Sequence, residues 1–242
     1  MKMKQIILLC LLASSVAKAN TTAWGEVTPL GNSELRTFAE LDNNKRIVSL
    51  GVAIRNATLT HLPADMKMIK LRLPPRADLA PYKFIEVDWN PHGHEPPGVY
   101  DVPHFDFHFY TMPLEDVAKI TCAGADQPVC MKMPPANQVA DKYAPTPAGV
   151  PMMGWHWVDT LAPEFNGGKF SKTFIYGFYN GNVTFLEPMV TLEYLMSGAN
   201  STTPIRQPAT FPKHGIYPRA YEVAYDSIHK VHYVRIKNFK TF

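Results

Sequence analysis

Apolar and polar positions alternate along much of this chain. Val48, Leu50, Val52 and Ile54 are separated by small or polar residues, the period-two pattern of a half-buried strand. Residues 68–73 and 83–89 read the same way. Residues 174–179 and 183–187 flank Asn180-Gly181, and an Asn-Gly pair between two such runs predicts a hairpin, because both turn residues must take positive φ. A second hairpin is expected about Asp226-Ser227, between residues 220–225 and 231–236. Helix signals are few. The best is 113–120, where a proline opens the first turn and Glu115 and Asp116 complement its positive end. Residues 133–151, rich in proline and alanine, read as a long surface loop or linker. No internal repeat is visible. The expected fold is mainly β, an antiparallel barrel or sandwich with one short helix and long proline-rich loops.

The first nineteen residues follow a different rule. Lys2 and Lys4 precede an apolar run from Ile6 to Val16, and Ala17-Lys18-Ala19 is the small-x-small pattern that signal peptidase reads. Residues 1–19 are therefore expected to be a cleaved export signal, and residues 20–242 a single β-rich domain in the periplasm or outside the cell. The apolar run falls short of the about 20 residues a membrane span needs, and no later segment reaches that length. Leu9 before Cys10 argues against lipid attachment there. Without Lys2, Lys4 and Lys18, the 24 basic residues fall to 21 and balance the 21 acidic ones. The basic excess thus belongs to the signal, and neither nucleic-acid nor membrane-surface binding is expected of the rest.

Cys10 leaves with the signal, so Cys122 and Cys130 remain as a pair. In an exported chain this suggests a disulfide closing a short loop, with free thiols or metal thiolates as the alternatives. Loop-closure entropy would contribute roughly 2.6 kcal/mol.

The chemistry concentrates in one stretch. Of nine histidines, His92, His94, His104 and His108 fall within 17 residues. On a strand covering His104-Phe-Asp-Phe-His108-Phe-Tyr110, His104, Asp106 and His108 share one face and the three phenylalanines the other. Imidazole nitrogen and carboxylate oxygen are the usual ligands of zinc, iron, copper and manganese. A regular strand separates His104 from His108 by roughly 13 Å, too far to share one ion unless the strand is bulged. His92 and His94, two apart, are better spaced. In Gly154-Trp155-His156-Trp157, alternation sets His156 opposite its tryptophans, and Glu187 lies in line with Val183 and Phe185. A carboxylate among apolar neighbours needs a metal or a basic partner. The competing reading is a hydrogen-bonded polar network without metal. His61, His214, His229 and His232 read as ordinary residues, and Tyr100, Tyr110 and Tyr176 as packing groups with a polar handle. There is no Gly-x-Ser-x-Gly, phosphate loop, dinucleotide fingerprint or Cys-x-x-Cys.

His104-Phe-Asp-Phe-His108-Phe-Tyr110, the preceding Gly93-His94-Glu-Pro-Pro-Gly-Val-Tyr-Asp-Val-Pro, Gly154-Trp-His156-Trp-Val-Asp159 and Phe185-Leu-Glu187-Pro-Met189 together resemble an uncharacterised family of exported bacterial proteins whose best-known member comes from Thermus. The resemblance runs over most of residues 45–195. It implies a β-rich fold, homo-oligomers and metal binding, with no established reaction. His94, His104, His108, His156 and Glu187 fall on its motifs, with His92 and Asp159 at their margins. Cupins and alpha carbonic anhydrases share only local histidine patterns, an analogy of architecture.

The expected function is an exported metal-binding β-protein. His94, His104, His108 and His156 are the candidate ligands, a divalent metal with zinc foremost is the cofactor, and Glu187 is the catalytic candidate, as ligand or as base beside a metal-bound water. The small-molecule substrate or ligand stays open. The alternative is a non-catalytic envelope protein binding a small ligand in a histidine-lined cavity.

Overall fold

The computed structural model describes residues 21–75 and 79–242, so the expected export signal and Cys10 lie outside the described residues. Two antiparallel sheets pack face to face as a sandwich; neither closes into a barrel. The first sheet contains β1 (Thr21–Leu30), β2 (Ser33–Leu41), β3 (Ile47–Arg55), β11 (Ser201–Pro204), β12 (Ile216–Asp226) and β13 (Val231–Thr241), in the order β1-β2-β3-β13-β12-β11. The second contains β4 (Lys67–Arg72), β5 (Phe84–Asn90), β6 (His104–Tyr110), β7 (Tyr143–Pro145), β8 (Trp155–Asp159), β9 (Lys172–Tyr179) and β10 (Asn182–Thr191), in the order β4-β5-β6-β10-β9-β8-β7.

Alternation decides which side of each strand enters the core. Phe105, Phe107 and Phe109 of β6 are fully buried between the sheets with Ile85, Val87 and Trp89 of β5 and with Leu50, Val52 and Ile54 of β3. Each such side chain contributes roughly 1.5–3 kcal/mol by leaving water. The predicted Asn180-Gly181 hairpin is present, with φ of 50° and 73° at the two turn residues. The hairpin of β12 and β13 turns through residues 227–230.

Three features depart from the sequence reading. The predicted helix at 113–120 is a single turn, α2 (Leu114–Val117), and similar turns form at α1 (Asn56–Leu59), α3 (Gln127–Cys130) and α4 (Leu192–Met196). The segment 133–151 is more than a loop, because β7 pairs with β8 and buries Tyr143, whose hydroxyl donates to the Phe174 carbonyl. A bulge at Thr184 breaks the alternation of β10: Val183 pairs with Phe178, but Phe185 pairs with Gly177. Val183 therefore joins the inter-sheet core while Phe185 faces outward. Glu187 and Val183, expected on one face, lie on opposite ones.

Every residue of β5 and β6 is buried, so their outer faces are covered too. The cover comes from two smaller apolar clusters. One holds Phe84, Tyr110, Val117 and Phe185; the other holds Tyr100, Phe170, Ile175 and Met189. Cys122 and Cys130 form a disulfide. Gly149 lies against it so closely that a Cβ there would meet the Cys130 sulfur at 2.4 Å. The chain continues from this contact into β8. Among the described residues no helix is long and apolar enough to cross a membrane.

Candidate metal centre

The outward face of the second sheet carries acids and imidazoles where a sandwich normally shows mixed polar groups to water. β5 contributes Glu86, Asp88 and Asn90, which alternate with its core residues. β6 contributes His104, Asp106 and His108. The antiparallel register sets Glu86 beside His108, Asp88 beside Asp106, and Asn90 beside His104. On the other flank of β6, β10 brings in Glu187 after the bulge, and Met189 pairs with Asp106. His156 reaches in from β8, two strands from β10, across Gly177 of β9. The Phe185 ring lies over Gly177, and His156 packs against that ring with centroids 5.1 Å apart. His94 arrives from the loop between β5 and β6.

These groups form distinct sets whose candidate ligand atoms lie within 4.8 Å of one another: His94 with His104 and Asp106; His108 with His156 and Glu187; and Glu86 with Asp88 and His108. The strand is regular, so His104 and His108 fall into different sets, as their spacing on β6 requires.

The first set has an informative hydrogen-bond pattern. His104 Nδ1 lies 2.7 Å from the Val102 carbonyl, and His94 Nδ1 lies 2.7 Å from the Glu95 carbonyl. A carbonyl only accepts, so both Nδ1 atoms carry hydrogen and donate. When neutral, each ring presents a lone pair at Nε2; when protonated, it turns an N–H toward Asp106. His104 Nε2 is 3.1 Å from Asp106 Oδ1, and His94 Nε2 is 3.3 Å from Asp106 Oδ2. Asn90 donates to the same Oδ2 at 2.7 Å and fixes the carboxylate. Three electron-pair donors thus converge, an arrangement that repels itself unless protons or a cation lie between them. Burial raises the Asp106 carboxyl, but His104 and His94 outweigh it and hold the group well below the usual carboxylate range. Burial works against protonation of His94, yet Asp106 draws its pKa upward.

The second set is deeper. His108 Nε2 lies 3.4 Å from Glu187 Oε1, and His156 Nε2 lies 3.7 Å from Glu187 Oε2. His108 and Glu187 are almost wholly buried, and His156 is 12% exposed. Neither ring nitrogen of His108 has a hydrogen-bond partner, nor do His156 Nδ1 and Glu187 Oε2. Unpartnered buried polar atoms of this kind are expensive. Burial lowers His108, and it pushes His156 down to about 3, with His108 adding to the effect. Burial raises Glu187 well above the carboxylate range, and Asp106 and Asp88 push the same way. Asp88 is raised by burial, then by Glu86 and Asp106. Lys70 pairs with Glu86 at 2.6 Å.

Both sets are partly dried by aromatic rings. Phe185 lies edge-on to His108 with centroids 4.9 Å apart, and Phe170 stands 5.3 Å from His104. Tyr110 donates to the Met152 carbonyl, and Tyr100 to Glu164.

All five predicted site residues, His94, His104, His108, His156 and Glu187, belong to these sets. His92 is exposed and joins none, and Asp159 instead pairs with Arg206. Sequence reasoning missed Glu86, Asp88 and Asn90. Their signal was the alternation Phe84-Ile-Glu-Val-Asp-Trp-Asn90, already recognised as a strand. The lone histidines behave as ordinary ones: His232 meets Asn56 Oδ1 and His229 meets Asp226. Compared with family models, curated proteins and solved structures, the chain finds no match.

Proposed function

We propose that this is an exported protein whose second sheet carries a divalent-metal centre on its outward face. The observation that supports this reading best is the convergence of two imidazole Nε2 atoms on Asp106, with both rings held in place by backbone carbonyls. Histidines that ligate metals show this device, the far nitrogen donating to a carbonyl or carboxylate. The nitrogen and carboxylate donors favour zinc among common ions, and they would also suit iron or manganese.

His94, His104 and Asp106 form one set that would hold an ion, and His108, His156 and Glu187 form another. A metal here would supply a bound water of lowered pKa, suited to hydrolytic or lyase chemistry. The chain's own contribution is the dry aromatic rim, the fixed imidazoles and the carboxylates that stay close to the ion. Glu187 serves as a ligand or as a base within this group. The disulfide fits export, since such bonds persist in oxidising compartments.

The test is metal content by mass spectrometry on untagged protein secreted in its mature form. At least one ion per chain is expected. Protein that stays folded and metal-free after exposure to zinc, iron and manganese would overturn the reading in favour of a protonated polar network.

A further inference from the structure

We infer that the outward face holds two ions in unlike sites, an accessible one on His94, His104 and Asp106 and an enclosed one on His108, His156 and Glu187. This rests on the metal-binding reading above and goes beyond it in number, place and exchange behaviour.

These two ligand sets share no residue, although the third, Glu86 with Asp88 and His108, shares His108 with the enclosed one, and each is compact enough to close on an ion. One ion cannot serve both. His104 and His108 are four positions apart on a regular strand, roughly 13 Å, while a metal–nitrogen bond spans about 2.0–2.1 Å. A single ion would leave the other set with its unpartnered atoms: His104 Nε2 and Asp106 Oδ1 on one side, both nitrogens of His108 and Glu187 Oε2 on the other. These atoms are buried, so water cannot satisfy them cheaply. The face also concentrates four buried carboxylates, Glu86, Asp88, Asp106 and Glu187, against one lysine, Lys70. Cations bound there would take the place of protons that such buried acids otherwise keep.

Access separates the sites. The His94 side chain is 41% exposed and sits on a loop, so the first site has a side open to solvent. The second lies beneath Phe185 and Tyr110, with side chains between 1% and 12% exposed. A site with an open position is the one at which an outside molecule can reach the metal, whereas an enclosed site holds structure together. Asp88 stands on the far side of the His108 ring, 3.8 Å from Nδ1, where it would steady that ring as a positioning group.

The experiment is zinc loading of the untagged protein, followed by mass-spectrometric counting during exposure to a soluble chelator. Two ions per chain are expected, one leaving at least about tenfold faster than the other, because release from the enclosed site requires local opening of the sheet cover. His94→Ala, a change on a solvent-facing loop, should abolish the fast ion and keep the slow one. Glu187→Gln should weaken the slow ion and keep the fast one. One ion per chain in the parent, or loss of all metal in His94→Ala protein that remains folded, would overturn the two-site inference while leaving the metal-binding reading intact. No ion at all would overturn the reading itself.

Discussion

The ring of Phe185 occupies the space where Gly177 would carry a side chain: a Cβ at Gly177 would stand 2.1 Å from two of its carbons. The same ring packs against His108 and His156 of the enclosed set. Gly177→Ala should therefore injure stability and the enclosed site together. Overpacking of this kind costs about 1–3 kcal/mol. Thermal unfolding and metal counting on the variant check both effects; a stable variant with full metal content would show that the ring moves aside freely.

Metal removal should lower stability. An ion bound only by the folded chain stabilises it by about 2.7 kcal/mol when free metal is a hundredfold above the dissociation constant. For a chain of this size that corresponds to a melting point roughly 5–10 °C lower after chelation. Calorimetry with and without chelator, with zinc added back, measures it. Restoration by zinc but not by magnesium is expected from the imidazole ligands.

The disulfide should contribute through loop closure, roughly 2.6 kcal/mol for the short loop between Cys122 and Cys130. Its position suggests a second effect. Gly149 packs on the sulfurs, and the chain from there leads into the strand bearing His156. A Cys122→Ser/Cys130→Ser variant should unfold at lower denaturant and release the slow ion sooner. Equal release rates in parent and variant would confine the disulfide's role to stability.

His232 gives a pH prediction remote from the metal. Its ring is buried, stacks on Tyr225 and hydrogen-bonds Asn56 Oδ1, and burial pushes its pKa down to about 4. An unfolded chain protonates the same ring near pH 6.5. As pH falls from about 6.5 to about 4, the unfolded state takes up the proton first, so stability present above that window is lost across it. Urea unfolding of metal-free protein at neutral and mildly acid pH should show a smaller acid penalty in His232→Gln than in the parent, by on the order of 1–3 kcal/mol. Identical pH slopes would mean that the ring stays accessible to protons when folded.

Much of this molecule was legible in its alternation. The three phenylalanines between His104 and Tyr110 announced which face of β6 enters the core, and the histidines opposite them announced the site. His156 between its tryptophans was equally plain. What stayed hidden depended on neighbours supplied by the fold. Glu86 and Asp88 look like the solvent face of an ordinary strand until β6 puts His108 and Asp106 beside them. β1 and β2, which form the first hairpin, escaped notice; in β1 threonines and a glutamate sit at partly exposed positions and blur the period. β7 hid inside a proline-rich stretch. His92, close in sequence to His94, is turned to solvent because its segment is a loop rather than a strand, so two-residue spacing brings no common face.

The bulge at Thr184 has a consequence that resembles a reading frame. Side chains on a strand take turns between two sides, and one surplus residue reverses the turn order for all that follow. Upstream of the surplus, Val183 is spent on the core; downstream, Leu186 and Val190 take that duty and Glu187 is released to the face that carries the histidines. Were Thr184 drawn into the ladder as an ordinary strand residue, simple alternation would drive a carboxylate between the sheets and send leucine out among the imidazoles; excising it would leave Leu186 inward and Glu187 outward. The site's acid and the core's leucine are thus kept in phase by a bulge at a residue that belongs to no candidate ligand set.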